Sequence, residues 1–209
     1  MSVKGACGLK KRLILVAYGM DEQGNREFLG FLLAEGESEA PWSVLLQSLY
    51  ARGLKGEALQ LVITDAAPGL LAAARMVYPH AQHQRCWFHK LQNVIGCVRK
   101  ADKKEVTKGV QAIYLADTRR DAIAAYPHGG RSLALPHSWK QRWQSLYPKA
   151  VVCLEKDLGA LLGCFDFPAQ LRSKIRTTNY SAPGRTLHCH RARLPRSAPP
   201  HSAHGRFHQ

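Results

Sequence analysis

Asp65 closes a run that reads as a short buried strand, Leu61 to Thr64, and stands just ahead of a helical pattern carrying Leu70, Leu71, Ala74 and Val77. A carboxylate in that place can hold a divalent cation, because ligand sites in α/β sheets gather beyond the carboxyl ends of the strands. The place also suits a helix cap, and the run from Thr64 to Gly69 (TDAAPG) has the composition of one. Spacing alone favours the cap. Cys86 and His89 form a C-x-x-H pair, preceded by His80 and His83. A structural zinc site needs four ligands, commonly as two such pairs, and no second pair stands at suitable spacing. A Cys–His contact within a packed core is the better reading of the pair.

The remaining polar clusters carry less. Glu35, Glu37 and Glu39 alternate in a strand-to-helix connection and read as an acidic loop. Asp102, Glu105, Asp117 and Asp121 sit among basic residues and read as solvated helix faces. The run from Arg85 to Lys100 mixes cations with Trp87 and Phe88, which could contact phosphates and stack bases. Ordinary helix packing accounts for the same aromatics. No Walker loop, GxGxxG or GxSxG motif occurs.

The elements that would position these residues follow from periodicity. Leu13 to Tyr18 is a continuous apolar run, as for a strand buried on both faces. The polar DEQGN segment then turns the chain, and Glu27 to Ala34 reads as an antiparallel partner. Ser38 can open a helix with Trp42, Leu45, Leu46 and Leu49 on one face, and Gly53 can stop it. Leu61 to Thr64 and Ala81 to Arg85 read as further strands, each followed by a helix. From about residue 101 to 170 the pattern is helical throughout. The class is α/β: a β-β-α-β-α-β-α core that gives way to an all-helical segment.

Composition narrows the partners. The 209 residues hold 30 Lys plus Arg against 15 Asp plus Glu, a formal charge of +15. Such a surplus argues for a polyanion, and nucleic acid comes first because no lipid-anchor or basic amphipathic signature competes. No apolar stretch is long enough to span a membrane. Cys7, Cys86, Cys97, Cys153, Cys164 and Cys189 are scattered, and no secretion signal precedes them, so they read as reduced thiols of a cytoplasmic protein. Residues 180–209 contain no Asp, Glu or Lys, but five Arg, five His and four Pro, with no visible period. That composition cannot bury a core and predicts a disordered basic tail.

Several segments, in order, resemble the Mutator-type insertion-sequence transposases of bacteria. They are LILVAYGMDEQGNREFLGF, EGESEAPWSVLLQSLYARGLKG, LVITDAAPGLLAAARMVYPHAQHQRCWFHKLQNV and KIRTTN, together spanning roughly residues 2–179. The stretch from Asp65 through Cys86 and His89 is the most specific. The resemblance implies an RNase H-like core over 1–179, with a helical insertion at about 90–170. It also implies a DDE triad of two Asp and one Glu that holds two magnesium ions. Paired metals clamp the attacking and leaving oxygens of an in-line phosphodiester displacement, here DNA cleavage at element ends and strand transfer. Carried over, Asp65 becomes the second Asp and a metal ligand, which reverses the cap-first reading. Cys86 and His89 match the family's C-x-x-H signature, as structural support of the site.

The chain also departs from the pattern. The family's first Asp lies in a Leu-Asp-Gly-like strand just ahead of the segment written SVKGA here, and the Glu follows KIRTTN in a Pro-Leu-Glu-Arg-like run. Neither acid has a counterpart in this sequence, where Asn179 is followed by Tyr180, Ser181, Ala182 and Pro183. Truncation at both ends of the catalytic domain and a shifted reading frame over 180–209 are the expectation. From it follow a chain without cleavage or strand-transfer activity, marginal stability, and exposed strand edges. The competing expectation is a non-catalytic basic DNA-binding protein that acts on an intact transposase or on its own copies.

Overall fold

The computed structural model describes residues 13–65, 67–126, 138–178 and 186–193, the last as backbone. Strand β1 (Leu13–Met20) and strand β2 (Arg26–Ala34) pair antiparallel. The Asp21 carboxylate accepts the Asn25 N–H at 2.7 Å, and Gly24 supplies the positive φ of 94° that the tight turn between them needs. Helix α1 (Glu39–Ala51) buries Trp42, Leu45, Leu46 and Leu49, the stripe expected from their spacing. Ser38 occupies its N-cap position but its side chain makes no capping bond. Gly53, at φ +111°, ends the helix in the left-handed region.

A 3₁₀ turn (Gly56–Ala58) leads to strand β3 (Leu61–Thr64), helix α2 (Pro68–Val77) and strand β4 (Gln82–Arg85). Seven helices follow among the described residues: α3 (Trp87–Gly96), α4 (Lys103–Tyr114), α5 (Arg119–Ala125), α6 (Trp139–Trp143), α7 (Pro148–Glu155), α8 (Leu158–Leu161) and α9 (Ala169–Ile175). A 3₁₀ segment (Leu162–Asp166) separates the last two. The mixed α/β class is as the sequence predicts, and no strand interrupts the described part of the helical segment.

The tail departs from the sequence expectation. Thr186–Arg193 forms a strand, β5, in the middle of a five-stranded sheet of order β2-β1-β5-β3-β4. It runs antiparallel to β1, with Ala17 opposite Cys189, and parallel to β3, with Thr64 opposite Cys189. The expectation of a structureless chain after residue 179 therefore fails at these eight residues. The reason lies in the backbone. β1 and β3 are not neighbours, and each turns a row of N–H and C=O groups toward the gap between them. A strand in that gap pairs on both sides, whatever its side chains are. Side-chain periodicity carries no trace of such a role. The other residues of 180–209 lie outside the described residues.

The sheet separates two apolar cores. Leu15, Ala17 and Val62 face α1 and α2, together with Trp42, Leu46, Leu70 and Tyr78. Leu61 and Ile63 face the helical segment, packed with Trp87, Val94, Ile113, Val151 and Leu154. β3, expected as a short strand, is thus buried on both faces along its whole length. β2 is an edge strand, and Phe28, Phe31 and Leu33 on it are 52%, 62% and 45% exposed. Apolar surface therefore remains at this edge of the sheet.

The first turn of α2 lies directly against the backbone that opens α1 at Gly69. A Cβ there would lie 2.5 Å from the Ser38 carbonyl carbon and 2.6 Å from the Glu39 nitrogen, both backbone atoms that cannot swing aside. Gly96, in the last turn of α3, has nothing within 4 Å of its Cβ position. Gly69→Ala should therefore destabilise the fold by about 1–3 kcal/mol, as overpacking does. Gly96→Ala should be neutral or stabilise by up to about 1 kcal/mol through helix propensity. Urea unfolding midpoints of the two variants check this opposition.

Candidate functional site

β3 and β4 are parallel, so their carboxyl ends emerge on the same side of the sheet. Asp65 follows β3 directly and is half-buried. Its Oδ1 accepts the Ala67 N–H at 3.1 Å, which fixes an Asx-type turn. The N-cap of α2 is Ala67, not Asp65, and no side chain caps that helix. The cap reading of Asp65 is thus replaced by a turn that leads into the helix. No other described group bonds or pairs with the Asp65 carboxylate.

Cys86 follows β4 and is fully buried. Its N–H donates to the Thr64 carbonyl at 2.8 Å, and the Trp87 N–H donates to the Arg176 carbonyl at 2.9 Å. The Thr178 N–H donates to Cys86 Sγ at 3.3 Å. The Thr178 hydroxyl lies 3.5 Å from both Cys86 Sγ and His89 Nδ1, and the Thr177 hydroxyl lies 3.6 Å from the sulfur. The C-x-x-H pair is therefore a clasp. One turn of α3 brings His89 beside Cys86, and together they hold the end of the helical segment against the end of β4. Burial would push the Cys86 thiol up, but hydrogen bonds from His89 and Thr178 outweigh it and bring it down to about 6. Among the described residues no three His, Cys, Asp or Glu side chains come together as a metal site, so the pair gains no zinc partners there. His83 stays apart, its pKa lowered by burial and by the nearby Arg75.

The electrostatics of this end of the sheet centre on Asp157. Arg85, the last residue of β4, pairs with its Oδ1 at 2.6 Å, and Lys90 of α3 donates to its Oδ2. Lys90 is buried to the point that this pairing is what keeps its charge tolerable. Burial would raise the Asp157 pKa, but Lys90 and Arg85 hold it below the usual carboxylate range. Trp87, a candidate base-stacking residue, is instead core: it is buried and its Nε1–H donates to the Leu161 carbonyl at 2.7 Å. Phe88 is exposed.

The sequence reading found Asp65, Cys86 and His89, and these gather around the ends of β3 and β4. It missed Thr177, Thr178, Lys90 and Asp157. Thr178 stands 92 residues from Cys86 and Asp157 stands 67 from Lys90, so no local spacing signals either contact. Asn179, the last residue of the KIRTTN segment, lies outside the described residues. Asp102, Glu105 and Asp121, read as solvated, engage Tyr147, Arg142 and Thr118 respectively.

A folded-state pKa near 6 for Cys86, below the ordinary thiol value near 8.5, has a definite sign. The stability it lends is fully present above the unfolded-state pKa and fades as pH falls through about 6. Cys86→Ser should therefore cost more stability at pH 9 than at pH 5.5. The difference in thiolate absorbance near 240 nm between wild type and variant should titrate near pH 6. Equal costs at both pH values would remove the thiolate from the clasp.

Comparison with known proteins places the sequence in a family. Residues 1–182 match the model of the Transposase, Mutator family. The chain is 37% identical over 176 residues to a transposase for insertion sequence element IST2 of Acidithiobacillus ferrooxidans, covering 83% of this chain and 55% of that one. It is 37% identical over 167 residues to a transposase for IS406 of Burkholderia multivorans, covering 79% and 40%. A transposase for IS905 of Lactococcus lactis is 30% identical over 171 residues, covering 82% and 40%. The chain thus spans about half the length, or less, of the curated relatives it matches. With Asp65, the C-x-x-H clasp and the threonines of KIRTTN at one end of the sheet inside the matched span, the chain belongs to the Mutator family of transposases.

Proposed function

We propose that the chain is part of the catalytic domain of an insertion-sequence transposase, and that Asp65 is one of the three carboxylates such a domain uses to cleave element ends and transfer strands. The observation that supports this is the placement of Asp65: half-buried, directly after β3, on the side of the sheet where the Cys86–His89 clasp holds Thr178. The mixed sheet with helices packed on both faces supports the RNase H-like reading of the core. DNA is the substrate and partner in this reading, and the formal charge of +15 supports it.

The magnesium pair that goes with this chemistry does not fit the residues present. All fifteen Asp and Glu of the sequence lie among the described residues, and no three His, Cys, Asp or Glu of those residues come together. A single carboxylate supplies neither the charge nor the geometry for two hard cations, which prefer several oxygen ligands. We therefore infer that these 209 residues, assayed by themselves, bind DNA without cutting it. The same observation favours the second reading, a non-catalytic basic chain that occupies the DNA or the partner surface of an intact transposase.

Incubation with supercoiled plasmid carrying insertion-sequence ends, in magnesium or manganese, tests the first inference. Wild type and Asp65→Ala should both leave the plasmid uncut. Metal-dependent nicking that Asp65→Ala abolishes would overturn the claim of inactivity and establish Asp65 as catalytic.

A further inference from the structure

The Lys and Arg residues of the described chain are not evenly used. Arg85 and Lys90 are committed to Asp157, Arg119 to Asp166, Lys140 to Glu155 and Arg142 to Glu105. Arg172 and Arg176 donate to the carbonyls of Asp117 and Tyr114. The corner where α3 turns into α4 is different. Arg99, Lys100, Lys103, Lys104 and Lys108 fall within ten residues there, and all but the half-buried Lys103 are exposed. No ion pair among the described residues uses any of the five.

The acids at this corner do not neutralise it. Asp102 accepts from the Tyr147 hydroxyl, whose pKa it raises by that bond, and Glu105 pairs with Arg142. Both carboxylates engage side chains of the neighbouring helical segments, and among the described residues no carboxylate forms an ion pair with any of the five cations. Keeping five like charges in ten residues costs repulsion that a folded chain relieves only through screening or through an anionic partner. Lys104 and Lys108 stand one helical turn apart on α4, and Lys100 lies in the connection that leads into that helix.

We propose that this α3–α4 corner is a contact surface for the phosphate backbone of DNA. The inference rests on the DNA-binding reading above and adds to it where the duplex is held. Its chemistry is that of backbone positioning: flexible ammonium groups, no paired polar side chains aimed at base edges, and no sequence preference. A membrane surface is the poorer match, because the corner lacks the large exposed apolar residues that insert among lipids. α3 begins at the Cys86 clasp and its ten residues extend about 15 Å. The corner therefore holds the duplex to one side of Asp65 and not upon it.

The test uses the full 209-residue chain and a fluorescein-labelled 30-base-pair duplex of arbitrary sequence, with anisotropy read from low to moderate salt. The corner variant is Lys100→Gln/Lys104→Gln/Lys108→Gln. A charge-matched control, Lys55→Gln/Arg75→Gln/Lys156→Gln, removes three exposed cations elsewhere. Loss of three phosphate contacts should lower the slope of log affinity against log salt by about 2–3 for the corner variant. The control should change it by less than about 1, and Lys100→Arg/Lys104→Arg/Lys108→Arg should retain the wild-type slope. Equal slope changes in corner and control variants would overturn the corner while leaving DNA binding intact. No salt-dependent binding by wild type would overturn the DNA-binding reading itself, and the corner with it.

Discussion

The hydrogen bond from the Cys86 N–H to the Thr64 carbonyl is the joint on which this end of the molecule depends. It ties the end of β4 to the end of β3, one residue before Asp65. At the next residue the Trp87 N–H takes up the Arg176 carbonyl, and the Cys86 sulfur takes up Thr178. The last two of these contacts close a loop of about ninety residues onto the end of β4. A buried sulfur carrying negative charge would be costly by itself. Here the Thr178 N–H and hydroxyl and His89 surround it, so the charge becomes a fastening.

The helical segment gains a second fastening from Asp157, which bridges Arg85 of the sheet and Lys90 of α3. The two fastenings stand a few residues apart along the chain at the β4–α3 junction. Between them they set where the ends of β3 and β4, and with them Asp65, lie relative to the helices. Among the described residues no three His, Cys, Asp or Glu side chains come together at this end of the sheet.

Much of this was legible in the sequence, for identifiable reasons. LVIT announced a buried strand because three of its four residues are apolar and β-branched or aliphatic, and the spacing of Trp42, Leu45, Leu46 and Leu49 announced the buried face of α1. Asp65, Cys86 and His89 stood out because they are polar or reactive residues at element boundaries. What stayed hidden was long-range or carried by backbone. Thr178 and Asp157 reach their partners across 92 and 67 residues. β5 joins the sheet through main-chain groups, so its Arg- and His-rich side chains argued against the strand it forms. Trp87 stayed open for the opposite reason, since an aromatic amid cations suits base stacking and core packing equally, and burial decided for the core.

Amide hydrogen exchange across residues 86, 87 and 178 probes the joint directly. A joint that fastens the helical segment to the sheet opens only when the fold opens. The Cys86, Trp87 and Thr178 amides should then exchange as slowly as those of Val62 and Ile63 in β3. Exchange of Trp87 and Thr178 at the rate of exposed helix ends, with β3 still protected, would show that the helical segment is not held to the sheet at Cys86.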